Sequence, residues 1–126
     1  MRSIHTNLAP QAIGTYSQAI QCSNTVYISG QLPLNPATLL LCSDEFILQI
    51  EQVFSNISAI CQAAGGSLEH VVKLTIYLTD LVHVSQINTV MLRYFSQPYP
   101  ARAVIGVNFL PKDAQIEIDA IMILPN

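Results

Sequence analysis

The chain has 126 residues, of which 51% are apolar and 10% are charged, and its formal net charge is -3. This length fits one domain, residues 1–126, with a substantial core. Five Lys and Arg in an acidic chain do not form the clustered cations of a nucleic-acid-binding surface. No apolar run reaches the ~18 residues of a membrane span, and residues 1–6 lack the apolar core of a signal peptide. Because so few charges cannot cover the surface, we expect part of it to be buried between subunits.

The N-terminal third predicts an arm and a pair of strands. The arm contains proline and glycine with little periodicity, whereas the run after it alternates and is rich in β-branched residues. The predicted elements are an arm over 7–17, a strand through 17–20, a turn at Ser23 and Asn24, and a strand over 25–29 that ends at Gly30. Pro33 and Pro36 then mark a loop, since proline cannot sit in a central strand. Residues 39–42 fit either an apolar loop or an edge strand.

Two amphipathic helices are predicted in the middle of the chain. The first has apolar residues at three- and four-residue spacing over 46–61, and Gly65 and Gly66 stop it. Ser43 or Asp44 is its expected N-cap. The second helix shows the same periodicity over 81–95 and ends before a proline.

Three further strands complete the predicted order β-β-α-β-α-β-β. Val72, Leu74, Ile76 and Leu78 alternate with polar residues and predict a half-buried strand. The last two strands are predicted over 103–107 and 115–123, joined through 110–113. Helices at this spacing suit one face of a sheet, so the predicted fold class is α+β.

The cysteines and histidines indicate neither a disulfide framework nor a metal site. Cys22, Cys42 and Cys61 form no CxxC pair and leave an odd count, which free thiols in a reducing cytosol explain. The histidines are scattered, and no glycine-rich loop or dinucleotide fingerprint opens a helix. We therefore expect a cytoplasmic protein without a metal or cofactor.

Arg102 opens the apolar segment 103–107, where a guanidinium is costly unless it meets an anion. In one interpretation it forms a structural ion pair with Glu117 or Asp119. In the other it binds the carboxylate of a small ligand, whose geometry matches the planar fork of guanidinium donors. Taken alone, the residues favour the structural pair, because ion-pair networks also place charge in clefts.

Six segments of the chain together resemble one known family. They are residues 12–19 (AIGTYSQA), 28–33 (ISGQLP), 63–65 (AAG), 71–73 (VVK), 99–102 (YPAR) and 110–120 (LPKDAQIEIDA). In this order, and over nearly the whole chain, they are similar to the RidA/YjgF family of enamine and imine deaminases. The resemblance implies a chorismate-mutase-like fold with a mixed sheet, and a homotrimer with ligand sites in the clefts between subunits. It also implies hydrolysis of 2-iminobutanoate and 2-iminopropanoate to 2-oxo acids and ammonia.

The resemblance implies roles for individual residues as well. Arg102 matches the arginine that binds the substrate carboxylate, and Glu117 matches the acid that positions water near the reacting carbon. The other matches lie in or near the cleft: Tyr16, Ser29, Gly30, Asn88 from across the interface, and Val104, whose main chain contacts the imine nitrogen or water.

Departures from the family pattern leave alternatives open. Thr15 replaces the usual proline in the arm that carries Tyr16, residues 39–42 replace an acidic or glycine turn, and Val104 stands where several members carry cysteine. A non-catalytic trimer that binds 2-oxo acids or acts in regulation is therefore a second hypothesis. A ribonuclease or translation inhibitor is a third, which the five basic residues without interleaved aromatics disfavour.

Overall fold

The computed structural model describes residues 1–125. This part of the chain contains six strands, two helices and three short 3-10 turns. The strands are β1 (Arg2–Ile4), β2 (Ala19–Cys22), β3 (Thr25–Gln31), β4 (Val71–Leu78), β5 (Ala101–Gly106) and β6 (Ile116–Ile123), and the helices are α1 (Phe46–Ala63) and α2 (Val84–Tyr94). Neither helix has the length and hydropathy needed to cross a membrane.

The strands form one sheet in the order β1-β2-β3-β6-β4-β5. Neighbouring strands are antiparallel except β4 and β5, which run parallel because the chain crosses over through α2 between them. Both helices bury their apolar sides in a single core against one face of the sheet. The predicted α+β fold, with two helices on one face of a mixed sheet, is confirmed.

The ends of α1 confirm one prediction and correct another. Gly65 adopts a φ of 98°, which favours glycine, and the N–H of Gly66 donates back to the last turn of α1 at 2.9 Å. The predicted N-cap at Ser43 or Asp44 is wrong, since Glu45 occupies the N-cap without a side-chain bond. The Ser43 hydroxyl instead accepts the N–H of Glu45 at 3.0 Å, one turn before the helix.

The five predicted strands are all present, and β1 is an additional strand. With three residues, β1 is too short to show an alternation. Val72 is predicted to face the core but is 43% exposed, because a register shift between Val71 and Lys73 turns Val71 inward. β3 does not end at Gly30 but continues to Gln31 through a similar irregularity. Residues 39–42 form a loop with an isolated bridge to Leu34.

Two buried amides on α1 fix the segments that border the candidate site. Asn56 donates through Nδ2 to the carbonyls of Leu32 at 3.2 Å and Leu34 at 3.1 Å. Gln49 accepts the N–H of Gln115 at 2.9 Å, immediately before β6. Since buried amides must be hydrogen-bonded, these contacts define where the loop after β3 and the start of β6 lie.

The other face of the sheet carries no helix within residues 1–125. Lys73, Thr75 and Tyr77 of β4 and Glu117 and Asp119 of β6 lie on this face, partly exposed. The Tyr77 hydroxyl donates to Asp119 Oδ2 at 3.0 Å. We call this surface the open face of the sheet.

Candidate functional site

Arg102 lies on the edge strand β5, level with Leu74 of β4. Its Nη1 donates to Oδ1 of Asn88 on α2 at 2.7 Å and approaches Met91 Sδ at 3.5 Å. The side chain is therefore held on the helix-covered side of the sheet. Its Nε and Nη2 have no protein partner within residues 1–125, so that edge of the guanidinium can bind a planar anion with two hydrogen bonds.

A cleft of about 300 Å³ opens beside this guanidinium. Its wall on α2 comes from Asn88, Met91 and Leu92, which share a helix face because residues three and four apart are neighbours. Tyr99 closes the cleft from the segment before β5. We call Asn88, Met91, Tyr99 and Arg102 the arginine group.

Arg102 forms no ion pair with Glu117 or Asp119 within residues 1–125, where Arg93 pairs with Glu51 and the His70 ring lies 4.0 Å from the Glu69 carboxylate. The strand register explains why. Across β4, the β6 residue level with Arg102 is Ala120, so Glu117 lies three residues further along and points to the open face. Strand spacing and rise put the two Cα atoms roughly 14 Å apart. The interpretation in which Arg102 forms a structural ion pair with Glu117 or Asp119 is therefore wrong within a single chain.

Glu117 lies half-buried against Gly30 of β3. A Cβ added at Gly30 would overlap the Glu117 carboxylate, so this position requires glycine for close approach rather than for its backbone angles. Gly30 sits in the irregular part of β3 between Ile28 and Gln31, where a bulge re-aims the strand. The Ser29 hydroxyl beside it donates to the Ser17 carbonyl at 2.6 Å.

Tyr16 completes this second set of residues. Its ring is 53% exposed, and it lines a cleft of about 270 Å³ together with Gly30. The arm that carries Tyr16 is held by the buried amide of Gln18, which donates to the carbonyls of Ala9 at 3.3 Å and Pro10 at 2.9 Å. We call Tyr16, Ser29, Gly30 and Glu117 the glutamate group.

The surroundings of Glu117 raise its pKa above the usual range of a glutamate. Burial is the larger cause, and the negative charge of Asp119, two residues along the same strand, adds to it. Tyr77 donates to Asp119, and this hydrogen bond is the main reason that the pKa of Tyr77 is also raised. A carboxylate whose pKa is raised is a stronger base than an ordinary glutamate, which favours proton transfer to it.

Gly30→Ala is expected to lower the activity of the site at least tenfold, because the new methyl group must push the Glu117 carboxylate aside. Gly106→Ala is the matched control, since a Cβ there makes only ordinary contacts with Leu81 at 3.4 Å and beyond. Steady-state rates of both variants check the prediction. Equal activity in the two alanine variants would contradict the role of the close approach.

The structure brings the predicted site residues together in two separate groups. Asn88 lies with Arg102, Gly30 lies against Glu117, and Tyr16 and Ser29 lie beside Gly30. The Val104 side chain packs on the core, which leaves its main chain on the edge strand. Sequence reasoning missed Met91 and Tyr99, although the helical spacing from Asn88 and the proximity of Tyr99 to Arg102 are signals that point to them.

The remaining reactive side chains lie outside these groups. Cys22, Cys42 and Cys61 are free thiols, and burial raises the pKa of Cys61 to about 12, which keeps it protonated. Within residues 1–125, no cluster of three or more His, Cys, Asp or Glu side chains could hold a metal ion.

Fold and site together define a class of small α+β protein with a mixed six-stranded sheet, an arginine on its edge strand and a glutamate on its open face. The family model described as Endoribonuclease L-PSP matches residues 6–124. A 2-iminobutanoate/2-iminopropanoate deaminase of Dermatophagoides farinae is 42% identical over 123 residues, which cover 98% of this chain and 96% of that protein.

Solved structures are similar to this chain over almost its whole length. RidA from the Antarctic bacterium Psychrobacter sp. superposes with a TM-score of 0.95 at 51% identity, covering 98% of this chain and 100% of that one. E. coli TdcF with bound serine superposes with a TM-score of 0.92 at 34% identity, covering 99% and 100%. The chain belongs to the RidA/YjgF family, as its sequence motifs predict.

Proposed function

We propose that this protein hydrolyses the C=N bond of small 2-imino acids, 2-iminobutanoate and 2-iminopropanoate, giving 2-oxo acids and ammonia. The observation that carries the proposal is the guanidinium of Arg102, which lies in a cleft, is held by Asn88, and has no carboxylate partner within residues 1–125. A substrate carboxylate would satisfy it. The name of the Dermatophagoides protein and the serine bound to E. coli TdcF support a ligand of this kind.

The complete site is proposed to form between two copies of the chain in a homotrimer. The arginine group and the glutamate group lie on opposite faces of the sheet, too far apart for one small substrate to contact both. The edge strand β5 and the open face are both available to a partner within residues 1–125. In a cyclic trimer, the arginine group of one copy meets the glutamate group of the next. Light scattering should then give three times 13.8 kDa.

In the proposed reaction, Arg102 binds the carboxylate of the protonated imine and places its C2 beside Glu117 of the neighbouring copy. A water oxygen bonds to C2, its proton passes to Glu117, and the C=N electron pair moves to nitrogen. Glu117 then returns the proton to nitrogen, the C–N bond breaks as C=O forms, and ammonia leaves with the remaining proton. The main chain of Val104 contacts the nitrogen or the water. Because imines hydrolyse readily in water, orientation and proton transfer are sufficient.

An endoribonuclease, the activity in the description of the family model, is less well supported. The five basic residues of the chain lie on different elements, and Arg93 is already paired with Glu51 at 3.0 Å. A backbone-tracking surface needs several cations along one groove. A trimer that binds 2-oxo acids without turnover shares the Arg102 site and is distinguished from the deaminase by experiment.

The test couples an amino-acid oxidase to the protein in the presence of semicarbazide, which traps the imine. Deamination competes with trapping, so semicarbazone formation should fall as the protein is added at micromolar concentration. No change in the trapping rate, together with thermal stabilisation by 2-oxobutanoate, would identify the non-catalytic binding protein instead. RNA cleavage that disappears in an Arg102 variant would identify the ribonuclease.

The activity is expected to fall on the acid side at a pH above the usual glutamate pKa of about 4.3. Glu117 must be ionised to accept the proton of water, and burial and Asp119 both raise its pKa. Asp119→Asn removes the neighbouring charge, so the acid limb of the kcat/KM profile should move to lower pH. A limb that stays in place in Asp119→Asn would contradict the assignment of the titrating group to Glu117.

A further inference from the structure

A partly enclosed cleft extends from the glutamate group beneath the N-terminal arm. Its volume is about 270 Å³, and its lining includes Tyr16 and Gly30, the residue against which the Glu117 carboxylate lies. The apolar part of its wall comes from Ile13, Leu32, Leu34 and Leu39. An apolar cavity of about 150 Å³ is large enough to hold benzene. The cleft therefore has space for a far larger group than the ethyl chain of 2-iminobutanoate.

Most polar groups near this cleft are already hydrogen-bonded within the protein. The amide of Gln18 accepts from the N–H of Thr6 at 2.7 Å and donates to the carbonyls of the arm, and Nε2 of Gln31 donates to the Ser29 carbonyl at 3.2 Å. The Tyr16 hydroxyl faces the N–H of Ile13 at 3.4 Å. Apart from Gln11 and Lys112 in the lining, a polar ligand side chain would find few partners here, whereas an aliphatic one would be removed from water.

Leu39 is held in this wall by a strained backbone. Its φ is 62°, a conformation that leucine rarely adopts. The loop enforces it, because the N–H of Leu39 donates to the Asn35 carbonyl at 2.8 Å and the N–H of Asn35 donates to the Leu40 carbonyl at 2.9 Å. As a result Leu39 lines the cleft, while the next residue, Leu40, is 65% exposed. Strain that is maintained by surrounding bonds is often found where a ligand is clamped.

We infer that this cleft is a side-chain subsite for 2-imino acids with branched aliphatic chains of leucine size, and that Leu39 determines this specificity. The inference rests on the proposed function, since it assumes that the substrate C2 lies beside Glu117 and Gly30. Each methylene group removed from water favours a substrate by roughly fourfold. The leucine-derived imine has two more side-chain carbons than 2-iminobutanoate, so its kcat/KM should be about 15-fold higher.

The experiment measures kcat/KM for the imines that an amino-acid oxidase generates from leucine and from 2-aminobutyrate. Calorimetry gives the Kd of the corresponding 2-oxo acids, 4-methyl-2-oxopentanoate and 2-oxobutanoate. Leu39→Asn should reduce the leucine preference in both measurements about tenfold, because asparagine has nearly the same shape and tolerates the positive φ but supplies a polar wall. Leu40→Asn is the matched control and should retain the preference and the activity of the wild type.

A leucine-derived imine that reacts no faster than 2-iminobutanoate, or a preference that persists in Leu39→Asn, overturns the subsite. The binding measurement separates this failure from failure of the deaminase. If no imine is hydrolysed but 4-methyl-2-oxopentanoate still binds about 15-fold more tightly than 2-oxobutanoate, the deaminase activity is contradicted and the subsite is supported. If no imine is hydrolysed and neither 2-oxo acid binds, both the deaminase and the subsite are contradicted. Tighter binding of 2-oxoglutarate would assign the specificity to Lys112, the cation in the lining, and overturn an apolar subsite.

Discussion

Arg102→Ala is expected to abolish measurable imine hydrolysis while the melting temperature stays within about 3 °C of the wild type. The guanidinium is exposed and has no carboxylate partner within residues 1–125, so its loss leaves no buried charge behind. Arg102→Lys keeps the charge but loses the planar fork, which should reduce kcat/KM by roughly 10- to 100-fold. Coupled deamination rates and thermal unfolding of both variants check the prediction.

Arg93→Ala is the matched control for this experiment. Arg93 is also exposed and lies on α2, but it pairs with Glu51 at 3.0 Å and lies outside both groups of site residues. Its loss should cost little stability and no activity, as is usual for a surface ion pair. An Arg102→Ala protein that remains active but melts far below the wild type would show that Arg102 serves the structure rather than the substrate.

Glu117→Gln is expected to reduce kcat at least 100-fold, because glutamine cannot accept the proton of the attacking water. The folding stability of the variant should not decrease. Burial and Asp119 raise the pKa of Glu117, so the stability that this carboxyl contributes is present below its unfolded pKa and is lost as pH rises through the higher folded pKa. At neutral pH the uncharged glutamine removes that cost, and the variant should melt at or above the wild-type temperature.

Glu69→Gln provides the control, since Glu69 is an exposed carboxylate outside the glutamate group. It should match the wild type in rate and in melting temperature. If Glu117→Gln turned over at the wild-type rate, water would have to be positioned by another group, and the proposed role of Glu117 would be lost.

The fold was predictable because its periodic elements are long. α1 and β6 each place their apolar residues at the spacing of the element over many residues, and the pair of glycines after α1 marks its end. β1 and the inward turn of Val71 were not predictable, since a three-residue strand shows no alternation and a bulge is set by pairing with β6. The N-cap was misplaced because Ser43 and Asp44 are both favourable N-cap residues, whereas the observed N-cap, Glu45, makes no side-chain cap bond.

The sequence named candidate site residues, but it could not predict how they are arranged. Family motifs pointed to Arg102 and Glu117, and the cost of an unpaired guanidinium on an apolar strand suggested an ion pair with Glu117 or Asp119. That pair depends on the sheet order and on strand register, which place the two residues on opposite faces. The position of Leu39 and its positive φ could not be predicted either, because a hydrogen bond from its N–H to the Asn35 carbonyl, and not local propensity, maintains this conformation.

The central claim, that Arg102 of one copy and Glu117 of another form each site, is tested most directly by mixing the two inactive variants. Arg102→Ala and Glu117→Gln chains carrying different tags are co-expressed, and hybrid oligomers that contain both are isolated. In a cyclic trimer, each isolated hybrid combines an intact arginine group with an intact glutamate group at one of its three interfaces, which is about one third of the sites. Hybrids are expected to recover about that fraction of wild-type activity, whereas hybrids as inactive as either parent would contradict a site shared between subunits.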